Sequence, residues 1–190
     1  MRGMREGPES LKVALPPGRR VSPVSNLGLV TGSDALSVHL LASVPHLVGA
    51  VAQIRWTQWG HAPEPEDLSW WVEVTRREAG CEGLPVTFVA VDTLGEAVGA
   101  VGLDEFDIDE RRDRSPWVLG MVVRSDRRGA GLGRLLLSRL EQYAAEQGHA
   151  EVWVATGGPA VGFYQRCGWQ ETERLHLASG ERATVLCKTL

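Results

Sequence analysis

The stretch Met121-Val-Val-Arg-Ser-Asp-Arg-Arg-Gly-Ala-Gly-Leu-Gly-Arg-Leu-Leu-Leu137 reads as a strand that passes through a glycine-rich turn into an amphipathic helix. Its reading decides the fold. The apolar run ending at Val123 carries no helical stripe, whereas Leu132, Leu135, Leu136, Leu140 and Tyr143 return to one face at helical spacing. A turn of this kind is an anion site, because N–H groups at a helix N-terminus have no intrahelical partner and carry the positive end of its dipole. Glycines let a phosphate come close to that backbone. Arg127, Arg128 and Arg134 add charge, Arg127 reading as a solvated neighbour. Spacing excludes two phosphate motifs. The dinucleotide fingerprint G-x-G-x-x-G fails because Arg134 stands where a third glycine is required after Gly129 and Gly131, and no G-x-x-x-x-G-K-[ST] run occurs.

The alternation of strand and helix continues outward. Trp117–Val123 is expected as a strand, Gly129–Gln147 as a helix, Glu151–Thr156 as a buried strand and Pro159–Cys167 as a short helix, with Glu173–Ala178 and Ala183–Lys188 closing the chain as a hairpin. Upstream, Pro85–Val91 and Ala97–Leu103 flank Asp92-Thr-Leu-Gly-Glu and read as a hairpin. Leu36–Ala42 reads as a strand. The next helix starts at Pro45 and runs to about Trp59, with Leu47, Val48, Val51, Ile54 and Arg55 at helical spacing. After a proline-bearing loop from Gly60, Glu66–Arg77 resumes helical character around Trp70, Trp71 and Val74. Asp104–Arg114, acidic and then basic, reads as a solvated loop. Residues 1–32 hold four of the ten prolines and few large apolar side chains, which predicts a flexible tail ahead of a folded body over 33–190.

Composition bounds the function. The chain has 190 residues, 43% hydrophobic and 23% charged, enough for a real core in one domain. Its net charge of −4 argues against a partner that is nucleic acid or anionic lipid. The three cysteines, Cys81, Cys167 and Cys187, are odd in number and far apart, so neither a disulfide framework nor a zinc ribbon is written here. The five histidines are isolated, which speaks against a metal site. With no long apolar block in the sequence, the expected location is the cytoplasm.

Arg128-x-x-Gly131-x-Gly133, after a strand ending in Val123, closely resembles the acetyl-CoA pyrophosphate loop of the GNAT superfamily of N-acetyltransferases. About 30 residues downstream, Ala160-x-x-Phe163-Tyr164-x-x-Cys167-Gly168-Trp169 resembles a later motif of the same superfamily. The resemblance covers roughly Ser33 to Leu190. It implies an α/β (α+β) GNAT fold, a mixed and mostly antiparallel sheet of about six or seven strands flanked by about four helices. It also implies acetyl-CoA as co-substrate, with Arg128, Gly129, Ala130, Gly131, Leu132, Gly133 and Arg134 on the pyrophosphate. The backbone of Met121, Val122 and Val123 would meet the pantetheine and thioester carbonyl, and Tyr164 would be the general acid at the sulfur.

The sequence departs from the family in three places. Ser125 replaces a common proline, and Gly157 a frequent asparagine. Trp117-Val-Leu-Gly-Met-Val-Val lacks the glutamate base some members carry. Asp104, Glu105 and Asp107 then remain as bases acting through water, beside His61 and Glu64. Trp59, His61 and Glu64 are the candidate substrate-binding residues, because the first two helices roof the acceptor site in this family. The implied reaction is acetyl transfer to a primary amine of a small molecule by direct attack in a ternary complex. A protein or peptide amine, or a non-catalytic acyl-CoA-binding module, are the alternatives. The expected partners are a small-molecule amine and no nucleic acid or membrane, in a monomer or homodimer.

Overall fold

The computed structural model describes residues 36–60 and 66–190. The expected tail over 1–32, and His61 and Glu64, lie outside the described residues. Seven strands form one sheet in the order β1-β2-β3-β4-β5-β7-β6. They are β1 (Ser37–Leu40), β2 (Val86–Val91), β3 (Ala97–Asp104), β4 (Trp117–Val123), β5 (Glu151–Thr156), β6 (Gln170–His176) and β7 (Arg182–Thr189). Every neighbouring pair is antiparallel except β4 and β5. The helices are α1 (Val48–Trp59), α2 (Leu68–Arg77), α3 (Leu132–Glu146) and α4 (Pro159–Arg166).

The near-continuous apolar runs of β2 and β3 are buried on both faces, as a strand covered by helices on either side requires. Side chains alternate between two cores. Phe88, Ala90 and Val101 join Leu132, Leu136, Leu137, Leu140 and Tyr143 beneath α3. Val89, Val91 and Ala100 join Val48 and Val51 beneath α1. The sheet is thus the middle of three layers.

Two irregularities interrupt the sheet at β4. The parallel pairing of β4 with β5 is confined to Trp117 opposite Trp153, so the strands diverge and leave main-chain groups of β4 beyond Trp117 without a ladder partner on that side. In the β3–β4 ladder, Gly102 pairs with Leu119 and Ala100 with Val122. Gly120 and Met121 therefore bulge opposite Val101. Gly120 adopts a φ of 52°, which only glycine takes readily. A Cβ there would lie 2.9 Å from Arg55 Nη2. Gly120→Ala is therefore expected to cost about 2 kcal/mol or more, from the left-handed backbone and the collision together. A melting temperature equal to wild type would refute it.

One expectation needs correction and another refinement. The first strand ends at Leu40, and Leu41–Ser43 turns as a 3-10 helix that drives Leu41 fully into the core. Asp104–Arg114 is exposed over much of its length, as expected of a solvated segment, but it is not free. Arg111 and Arg114 both pair with Glu173 of β6, Glu110 accepts a hydrogen bond from the Ala178 amide at 2.7 Å, and the Arg114 guanidinium lies 4.4 Å from the Trp153 ring. The opposite charges that suggested solvation also clamp the segment to the final hairpin.

Candidate active site

The turn between β4 and α3 carries two glycines with left-handed backbone. Gly129 and Gly131 hold φ values of 82° and 81°, and a Cβ at either would meet nothing within 4 Å. Both face open space. Gly131 is the N-cap residue of α3 and offers no side chain to the first-turn amides, which leaves those donors for an external anion. Gly133 serves packing as well: a Cβ there would approach Phe163 of α4 to 3.2 Å. The Leu132 side chain is buried, so only its amide faces the turn.

Charge at the turn is sorted by partner. Arg124 pairs with Asp126 and Glu96. Arg127, read above as solvated, instead pairs with the buried Asp92 at 2.9 Å and ties the turn to the β2–β3 hairpin. Arg128 donates to the Val123 carbonyl at 3.0 Å and to Gln58 Oε1 at 2.6 Å, and Arg134 donates to the Arg166 carbonyl at 3.0 Å. These acceptors are neutral. Arg128 and Arg134 therefore keep their full charge for a ligand, while Arg124 and Arg127 are neutralised by carboxylates.

Tyr164 lies on α4, the short helix that follows β5. Its ring is buried and packs edge-on against Phe163 and Trp169, both with centroids 5.2 Å away. Burial first, then coulombic interaction with Asp107 and Cys167, pushes the phenol above its ordinary range, so Tyr164 stays protonated and can donate its O–H. Asp107, in the clamped segment, couples to it electrostatically. Water reaches Asp107, yet the protein around it pushes its carboxyl up to about 6, with Asp104 and Glu78 adding like-charge repulsion. Asp104 is raised in the same way, mainly by burial.

The glycine turn thus adjoins the open edge of β4, and the Tyr164 phenol is electrostatically coupled to the Asp107 carboxylate. A model of the acetyltransferase (GNAT) family matches residues 49–169. The chain belongs to the acetyltransferase (GNAT) family. It is 26% identical over 147 residues to N-acetyltransferase 8B of Homo sapiens, across 76% of this chain and 63% of that one. It thus spans just under two thirds of that relative's length. Among solved structures, an aminoglycoside 6'-N-acetyltransferase complexed with coenzyme A superposes with a TM-score of 0.66 at 18% identity, over 80% of this chain and 96% of that one. Ard1 from Thermoplasma volcanium superposes with a TM-score of 0.62 at 17% identity, over 82% and 98% of the two chains. At such identities the likeness concerns the fold, and the seven-stranded mixed sheet with four helices is a GNAT fold. Among the described residues, no helix is long and apolar enough to cross a membrane.

The residues singled out from sequence do not all meet. Met121, Val122 and Val123 line the diverging edge of β4, and the turn residues Arg128 to Arg134 cap its end. Trp59 stacks on Trp71 at 6.0 Å, and its neighbour Gln58 is gripped by Arg128. That places Trp59 toward the anion-binding turn, whereas Asp104 pairs with Trp117 at the opposite end of β4. Sequence reasoning missed Arg55, which is 1% exposed and ion-paired to Glu78 at 2.6 Å. Its position in the apolar stripe of α1, four residues after Val51, was the available signal.

Proposed function

We propose that this GNAT chain transfers the acetyl group of acetyl-CoA to the primary amine of a small cationic molecule, the amine attacking the thioester directly. The observation that carries the reading is the open glycine turn beside the unpaired edge of β4, where Arg128 and Arg134 meet only neutral acceptors; Asp107, a water-accessible carboxylate raised to about 6, is electrostatically coupled to Tyr164. Groups tuned toward the working pH and facing a cleft mark acid–base sites. The residues present also fit the donor. The open glycine turn, with Arg128 and Arg134 uncompensated, suits a pyrophosphate. The unpaired edge of β4 suits an extended pantetheine arm, which can hydrogen-bond there as an added strand would.

The chain's groups divide the chemistry. As the amine nitrogen bonds to the acyl carbon, its proton passes through water to the Asp107 carboxylate. As the carbon–sulfur bond breaks, the electron pair goes to sulfur, where the Tyr164 hydroxyl donates a hydrogen bond. Asp104 and Asp107 together favour an acceptor that carries a second positive charge.

In an amine panel followed by thiol release, diamines and polyamines should exceed neutral amines of equal length. Preference for peptide amines would select the protein-acetylating alternative. Asp107→Asn is expected to lower kcat about tenfold, less than a directly placed base would, because the proton passes through water. It should also abolish the limb of the kcat–pH profile near pH 6. Stability should move the other way. Folding raises this carboxyl, so its contribution is favourable at low pH and lost as pH rises through about 6. The asparagine variant should therefore melt higher at pH 8. An unchanged pH profile would remove Asp107 from the mechanism.

A further inference from the structure

Arg55 on α1 is a buried cation with three of its five N–H donors uncommitted. Its Nη1 donates to Glu78 Oε2 at 2.6 Å and to the buried Thr75 hydroxyl at 3.2 Å. Its Nε and Nη2 are buried and have no hydrogen-bond partner among the described residues. Leaving such donors unpaired costs stability, so the arrangement calls for an explanation beyond packing.

The guanidinium lies against the β4 bulge. A Cβ on Gly120 would fall 2.9 Å from Nη2, 3.1 Å from Cζ and 3.2 Å from Nε, and one on Gly102 would fall 3.6 Å from Nη2. Two glycines on adjacent strands thus clear the space the guanidinium fills. Glu78 holds the opposite corner, Nη1, so the ion pair is a dipole whose positive end abuts the bulge. The peptide groups of this bulge border the diverging β4–β5 edge, which has no ladder partner there. A fixed positive end behind them strengthens their N–H groups as donors and favours negative charge in front of them.

We infer that Arg55 is a positioning residue for acyl transfer: acting through the Gly120–Met121 bulge, it polarises a thioester carbonyl held at the β4 edge and stabilises the oxyanion formed on attack. This rests on the acetyl-CoA reading above. It adds a specific electrostatic source that lies behind the sheet and does not touch the substrate.

The test is the carbonyl stretch of 13C-labelled acetyl-CoA, by infrared difference spectroscopy on the full chain without acceptor, together with kcat and acetyl-CoA affinity. Wild type should shift the stretch to lower frequency than in free acetyl-CoA. Arg55→Met paired with Glu78→Gln, which removes both charges, should abolish most of that shift and lower kcat at least tenfold, with acetyl-CoA affinity within threefold. The single Glu78→Gln variant leaves Arg55 in place without its counter-charge, and should shift the stretch further. It keeps the test decisive if the double variant does not fold. A carbonyl frequency unmoved by either variant, with acetyl-CoA bound, would overturn the role of Arg55 and leave the transferase reading standing. Failure of wild type to bind acetyl-CoA would overturn both.

Discussion

Arg128→Ala combined with Gly131→Asp is expected to raise the Kd for acetyl-CoA by about 10³-fold, roughly 4 kcal/mol, while leaving the fold intact. Most of this comes from Gly131. It is the N-cap of α3, where an aspartate side chain accepts from first-turn amides and so occupies the donors a phosphate would use. It also sets a negative charge against the ligand's own. The left-handed φ of 81° would penalise most side chains, but aspartate tolerates this region better than most, and a Cβ meets no neighbour. Capping and strain thus roughly offset, and α3 survives. Arg128→Ala removes one of the two uncompensated cations and releases the turn from the Val123 carbonyl and Gln58. Calorimetric titration should show the loss alongside a wild-type melting curve. Unchanged affinity in a folded double variant would displace the cofactor site from this turn.

Local patterns were legible in the sequence, and long-range partnerships were not. The stripe on α3 was readable because helical spacing alone fixes which residues share a face, although Leu137 and not Leu135 is buried in the core. The glycine turn was readable because a strand, a turn needing positive φ and a helix must follow one another directly. The roles of the charges were not. Arg127 and Asp92 are separated by 35 residues, and Arg111 and Glu173 by 62, so nothing local distinguishes a clamped ion pair from a solvated charge. Asp107 shows this most clearly. Its carboxyl is raised by the protein folded around it and by two acids from other elements, a property that exists only once β3, α2 and the segment after β3 are assembled.

Tyr164→Phe is expected to lower kcat about 10²-fold, or roughly 2.7 kcal/mol, with acetyl-CoA affinity and melting temperature close to wild type. Stability should hold because the hydroxyl makes no hydrogen bond among the described residues, while the ring's contacts with Phe163 and Trp169 are kept by phenylalanine. The kinetic loss stands at the low end for acid catalysis for a reason of energetics. A thiol near pKa 8.5 is already a stronger acid than an ordinary phenol near 10, and burial raises this phenol further. Full transfer of the proton to a departing thiolate is therefore uphill. On the proposed reading Tyr164 contributes a hydrogen bond that strengthens as negative charge gathers on sulfur, and donation of that kind is strongest in the transition state. Two consequences separate this role from general acid catalysis by full transfer. The kcat–pH profile should show no falling limb from the phenol in the working range, because the group stays protonated throughout. The loss in Tyr164→Phe should also shrink with an acetyl donor whose leaving thiol is less basic, since such a sulfur gains less from the hydrogen bond. A loss below tenfold in a folded variant would reduce Tyr164 to a packing residue between α4 and the sheet.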